Sequence, residues 1–304
     1  PAFSITSTSA TLSGTINPTG AATNQVVCLP DGIPRFSTPL DVSHTYLPFV
    51  PGAVKIYSGR TRSEPVTIVR SHSAATRTFL WNDQNVECRI VEELVFASGT
   101  LTGSEQHYIA QADDGSVWAF GEIEDSDPND DGGNDGQKEP GGWIVGALAP
   151  GDPPDVATTT NPSLLLPAVP EPGDLWHSED VEPDYVTTLR VRSTTARVRT
   201  PAGRFRGCLR VTETDVPEAT SETRWFAQGL GEVRNRERGQ QLSLRATTLR
   251  ADGHGGRGRW RCSSCSNAAR CTATRSSRPS RSAPRVCWRW ASPRSTPCST
   301  TSKR

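Results

Sequence analysis

The feature that most limits how this chain can fold is its punctuation. Between residues 54 and 247 it is cut into short runs by Gly, Pro, Asn and Asp, and no run sustains a capped 3.6-residue repeat. The runs are 54–58, 65–71, 77–81, 86–96, 105–112, 117–122, 143–147, 175–178, 185–192, 196–200, 204–213, 222–227, 232–236 and 241–247. Many short strands at such spacing predict a mainly β fold: an antiparallel sandwich, a curved sheet or a barrel. Asp113-Asp114-Gly115, lying between two runs, predicts a hairpin turn. Composition agrees, because 26 Gly and 24 Pro with only 34% hydrophobic residues favour turns and strands over helices. No apolar run approaches the roughly 18 residues a membrane helix needs, so no transmembrane helix is expected.

The formal net charge of zero hides two unlike parts. Residues 251–304 hold twelve Lys/Arg and one acid, Asp252, so 1–250 hold the remaining 21 bases and 32 acids, a net of −11. The 251–304 stretch has one Val and no Leu, Ile, Phe or Tyr, and so cannot build an aliphatic core. It reads as a basic Arg/Ser/Cys-rich tail, disordered or the product of an out-of-frame reading. Cys262, Cys265 and Cys271 supply half a metal knuckle, but Cys287 and Cys298 stand isolated and His254 is the single nearby His. Nucleic acid is disfavoured as a partner, since no binding scaffold accompanies these arginines. The chain opens on Pro1 and contains no Met, and reads as a fragment whose start lies upstream.

Two stretches carry resemblances. Residues 9–16, SATLSGTI, alternate as a half-buried strand does, and Asn17-Pro18-Thr19-Gly20 follows as a turn. Residues 1–26 resemble the early strands of bacterial fibronectin type III-like repeats, which implies a truncated module from an extracytoplasmic protein. Residues 27–43, with Pro30, Gly32, Pro34 and Pro39, read as a linker. An antiparallel β domain is expected over 44–250. Within it stand YLPFVPG (46–52), VECRIV (86–91), YIAQADDGSVWAFGE (108–122), LPAVPEPGD (166–174) and TPAGRFRGCLRV (200–211). In that order they resemble a family of uncharacterised bacterial secreted or lipoprotein-like β-rich proteins, over about 44–247. The resemblance implies a secreted or cell-surface bacterial protein and brings no activity and no site residues. Lys55 departs from it, standing where such proteins often have Trp.

Candidate sites are few. Ten acids fall between Asp113 and Glu139, and Asp127, Asn129, Asp131 and Asp135 form D-x-N-x-D-G-x-x-D with Gly132 at the sharp turn. Hard cations want several oxygen ligands in a tight loop, so these four are the candidate Ca²⁺ ligands. Lys138 replaces the bidentate Glu of an EF-hand and no helices flank the loop; the competing reading is a solvated insertion. On 185–213, alternation points Leu189, Val191, Val198, Phe205, Leu209 and Val211 inward. Arg190, Arg192, Arg197, Arg199, Arg204, Arg206 and Arg210 then line the other face, either as an anionic-polymer surface or as a solvated face paired with Glu213 and Glu222. Among Trp81, Trp118, Trp143, Trp176 and Trp225, the pair beside Gly/Pro loops, Trp143 and Trp176, is expected to be exposed, where aromatics can stack on sugars. No G-x-S-x-G or H-E-x-x-H occurs. His107 near Glu105, and His177 near Glu179 and Asp180, are the candidate acid/base groups. Cys88 and Cys208 read as buried free thiols, with a disulfide between them as the alternative.

These features point to a non-catalytic extracytoplasmic surface or binding module, possible partners being a glycan, a lipid or a cell-surface component. The alternative is a curved-sheet or barrel carrier for a lipid or other apolar ligand, which needs an open cavity of roughly 300–1,000 Å³. An extracellular hydrolase is third.

Overall fold

A computed structural model describes residues 33–61, 64–125, 141–181, 185–216, 221–237 and 240–249. Every regular element among them is a strand: β1 (Val54–Thr61), β2 (Glu64–Trp81), β3 (Gln84–Ala97), β4 (Thr100–Gln111), β5 (Val117–Asp125), β6 (Gly142–Val145), β7 (Ala157–Thr159), β8 (Ser163–Leu166), β9 (Leu175–Val181), β10 (Tyr185–Thr200), β11 (Gly203–Val216), β12 (Ser221–Ala227), β13 (Gly231–Glu237) and β14 (Gln240–Thr247). They form one sheet in the order β7-β6-β5-β4-β3-β2-β1-β14-β13-β12-β11-β10-β9, with β8 pairing β5 off this path. All pairings are antiparallel except β6 with β7. The mainly β expectation therefore holds, in its curved-sheet form.

The curvature follows from which side chains meet. One core cluster joins Val91, Ile109, Val117, Leu164 and Leu166 from the first half of the sheet to Trp176, Leu189, Val191, Leu209, Val211 and Phe226 from the second. Strands so far apart in the sheet order share a core only if the sheet folds back on itself. The sheet path stops at β7 and β9 without closing. A side chain stitches β9 to β8, where Trp176 Nε1 donates to Leu164 O at 3.0 Å. Tyr46, Leu47 and Phe49, just ahead of β1, join the same cluster. Burying each large apolar side chain is worth roughly 1.5–3 kcal/mol, so this shared interior is the main force holding the halves together.

Segments 65–71 and 77–81 are one strand, β2, and 185–192 and 196–200 are one strand, β10. The polar interruptions that split them in sequence are bulges: register shifts between His72 and Thr76, and in three steps from Val191 to Val198. A bulge inserts extra residues, bends the strand and increases twist without ending it. Strands β7 and β8, of three and four residues, are absent from the sequence-based assignment. The turn at Asp113–Gly115 forms as expected, with Gly115 at φ 92° and Asp114 Oδ1 accepting from Ser116 N. Within the segment read as a linker, Phe36 stands edge-on to Phe120 and Trp81, and Val42 is buried in the core.

Residues 1–32, 126–140 and 250–304 lie outside the described residues. The fibronectin-like segment, the four candidate Ca²⁺ ligands Asp127, Asn129, Asp131 and Asp135, and the basic tail all fall there.

Candidate functional site

The inward face of the sheet carries charge as well as apolar groups. Buried there are Glu93, Glu105, Glu122, Glu124, Glu213, Glu222 and Glu232, with Lys55, Arg70, His107 and Arg224. Arg70 Nε lies 2.6 Å from Glu93 and its Nη1 3.2 Å from Glu232. His107 sits between Glu105 at 3.3 Å and Glu122 at 3.4 Å. Arg224 Nε lies 3.1 Å from Glu213 and 2.8 Å from Glu222. Burying a charge is tolerable only with such partners. Carboxylates outnumber cations, and the excess shows in their protonation. Burial pushes Glu105 and Glu222 up, above the usual carboxylate range. Burial opposes charge on His107, but its two carboxylate neighbours outweigh that and hold it protonated. Burial and then the Arg70 charge push Lys55 down to about 7, with Glu232 opposing. His72, stacked on Phe49 at 4.3 Å, is pushed to about 3 by burial and by Lys55.

The cavity beside these charges is small. The cavity among Leu47, Phe49, Lys55, His107, Glu122 and Trp143 amounts to about 30 Å³. That is room for water molecules and far short of the ~300–1,000 Å³ of a ligand pocket. His107 and Glu105, candidates for acid/base work, are buried beside each other in this ion cluster. Trp143 and Trp176, expected to be exposed, are 2% and 0% exposed. The sheet folds over both, and Trp176 satisfies its N–H inside. Cys88 and Cys208 are buried free thiols in separate clusters, so they do not pair.

The outward face of β9–β13 is different. Residue parity sends Leu189, Val191, Leu209 and Val211 into the core and Arg190, Arg192 and Arg210 outward, as expected. Val198 is buried too, and Phe205 packs partly buried against the same cluster. Antiparallel register then lines up outward rows. Arg190, Thr212, Thr223 and Arg236 stand opposite one another on β10 to β13, and Arg210 stands opposite Trp225, which stands opposite Arg234. Thr188 faces His177 on one side and Thr214 on the other, and Thr214 pairs Ser221. A groove of about 760 Å³ runs between Arg192, Arg210, Thr212, Ser221, Thr223, Trp225, Arg236 and Glu237. A second, of about 310 Å³, shares Arg192 and Thr212 with it and extends to His177, Thr188 and Arg190.

The two counterions named for this face, Glu213 and Glu222, are not on it. Glu213 and Glu222 point inward to Arg224. Their parity with Leu209, Val211 and Phe226 carried that signal in the sequence. Arg190, Arg192, Arg210 and Arg236 form no ion pair with another described residue; Arg192 Nε donates to Thr212 Oγ1 at 3.1 Å. Arg210 Nε is buried at the groove floor with no hydrogen-bond acceptor among the described residues. Arg197, Arg199, Arg204 and Arg206 lie exposed farther along the β10–β11 hairpin. That hairpin bends over the sheet, with Ala202 N donating to Leu244 O and Arg234 Nη2 to Arg199 O.

No family model matches this chain, and no curated protein matches it. Among solved structures it is similar to a candidate lipoprotein from Parabacteroides distasonis, at 13% identity and a TM-score of 0.36, over 67% of this chain and 98% of that one.

Proposed function

We propose that this chain is a non-catalytic binding module working outside the cytoplasm, whose ligand is anionic and seats in the arginine groove over β9–β13. The observation that supports it is the inward turn of Glu213 and Glu222. The carboxylates that a merely solvated face would use as counterions are spent on Arg224, and the outer arginines keep their charge for something external. A guanidinium fork suits carboxylate, sulfate and phosphate alike. The extracytoplasmic setting rests on the sequence resemblance over 44–247. The cavity among Leu47, Lys55 and His107, at about 30 Å³, is small for an apolar carrier and favours the binding-module reading.

The test is retention of the whole chain on immobilised dextran sulfate and on uncharged dextran, in rising salt. Retention on the sulfated matrix alone, fading as salt screens over a Debye length of about 8–10 Å near 0.1 M, supports the reading. The double charge reversal Arg192→Glu/Arg236→Glu is expected to abolish it. Undiminished retention of that variant would sink the reading. A Ca²⁺ role for Asp127, Asn129, Asp131 and Asp135 is a separate proposal, resting on their spacing. It predicts that Ca²⁺ raises the melting temperature over EDTA, and that Asp127→Ala/Asp131→Ala removes the rise.

A further inference from the structure

A polyanion groove needs only charge, and this one contains more. Between its arginines stand five hydroxyls, on Thr188, Thr212, Thr214, Ser221 and Thr223, and the half-buried indole of Trp225. The cross-strand register alternates them. Arg190 and Arg236 bracket Thr212 and Thr223 in one row, and Arg210 flanks Trp225 in the next. Hydroxyls donate and accept, so such a lining matches a ligand that is itself rich in hydroxyls. The indole offers a flat apolar face. Proteins that hold single-stranded nucleic acid stack successive bases on several aromatics. Here Trp225 is the one aromatic ring besides His177 among the described lining residues.

We propose that the groove holds an acidic polysaccharide laid across the strands, a sugar ring on Trp225 and its carboxylate or sulfate groups on Arg192, Arg210 and Arg236. The two depressions meet at Arg192 and Thr212, so they form one track from β9 to β13. Five strands at about 4.8 Å spacing make it roughly 19 Å wide, enough for several sugar units. Arg210 lines the track opposite Trp225 and brings a guanidinium beside the indole.

This inference rests on the anionic-ligand reading, and the experiment separates the two. Titration calorimetry on the full chain would compare an oligogalacturonate, a sulfated oligosaccharide, a polyphosphate of equal charge and a neutral glucan oligomer. One acidic oligosaccharide is expected to bind about tenfold or more tighter than polyphosphate, the margin of one good stacking contact, with no measurable binding of the glucan. Which of the two binds identifies the carboxylate or the sulfate branch. Trp225→Ala, and independently Thr212→Val/Thr223→Val, should erase that margin while polyphosphate affinity changes less than about twofold. The threonine variant keeps the test sound should the tryptophan variant fold poorly. Polyphosphate binding as tightly as either sugar, or a margin that survives both variants, overturns the polysaccharide assignment and leaves the anion groove standing. Failure of all three anions overturns both.

Discussion

The two faces of β10–β13 use arginine in opposite ways. On the inner face Arg224 is wholly buried and holds Glu213 and Glu222. On the outer face, one residue out of phase, Arg190, Arg192, Arg210 and Arg236 border a groove and meet no described carboxylate at ion-pair distance. The same strands thus carry an arginine whose charge the fold consumes and, bordering the groove, four whose charge it does not. Sign and residue type are identical; parity alone decides. A charge on the inside is a structural liability made safe by partners, and a charge on the outside is free for recognition.

The comparison breaks most easily at Arg224. Arg224→Ala strands two buried carboxylates and should cost about 3–5 kcal/mol in urea unfolding, whereas adding Glu213→Gln and Glu222→Gln to it should restore much of that loss. A loss below about 1 kcal/mol for the single variant would mean that the inner cluster is not holding charge as described. A smaller effect separates the faces by pH. Burial raises Glu105 and Glu222 above their unfolded value of 4.5, so the folded state holds protons that the unfolded chain releases. Stability from these groups is fully present below about pH 4.5 and declines as pH rises through the raised values, Glu105 reaching about 8. Thermal melts from pH 5 to 8 should therefore fall, and Glu105→Gln should flatten the fall by on the order of 2 kcal/mol. A slope unchanged in that variant would point to other groups. Lys55 comes next. It is fully buried and depressed to about 7, so Lys55→Met should be neutral or stabilising by about 1 kcal/mol at pH 6, where the amine must otherwise charge. A Tm that drops on this change would mean that the ammonium is a net contributor. The outer arginines give the smallest effect on stability. Arg192→Ala or Arg236→Ala should move it by no more than about 0.5 kcal/mol while weakening anion binding, so a large stability loss from either would erase the distinction between the faces.

How much of this was legible beforehand depends on the length scale. The β class showed because Gly and Pro punctuation and two-residue alternation are local signals. The inward and outward sets on β10 and β11 showed for the same reason, as Leu189, Val191, Leu209 and Val211 confirm. Strand continuity did not, because Ser73 to Ala75 and Ser193 to Thr195 look like breaks and are bulges that long partner strands bridge. Strands β7 and β8 are too short to carry a pattern. Trp143 and Trp176 sit beside Gly/Pro loops and yet are buried, since the bend that covers them is made by strands distant in sequence. Lys55 stands where the resembled proteins often have Trp, and its burial beside Arg70 and Glu232, brought in from β2 and β13, has no local signal in the sequence.

The pairing of β1 with β14 has a kinetic corollary. Most other neighbours in the sheet are also neighbours in sequence, and form by fast hairpin closure. Lys55 and Thr247, by contrast, meet across nearly the whole domain, and Val54 and Thr248 exchange hydrogen bonds at 2.9 Å. Two meanders should therefore assemble separately and zip along this one junction late, making it the slow, high-contact-order step. That junction also brings the domain's first and last strands side by side, so loosening it, as by Thr248→Ala at the hydroxyl that accepts from Val54 N, should slow refolding more than loosening a hairpin within either meander.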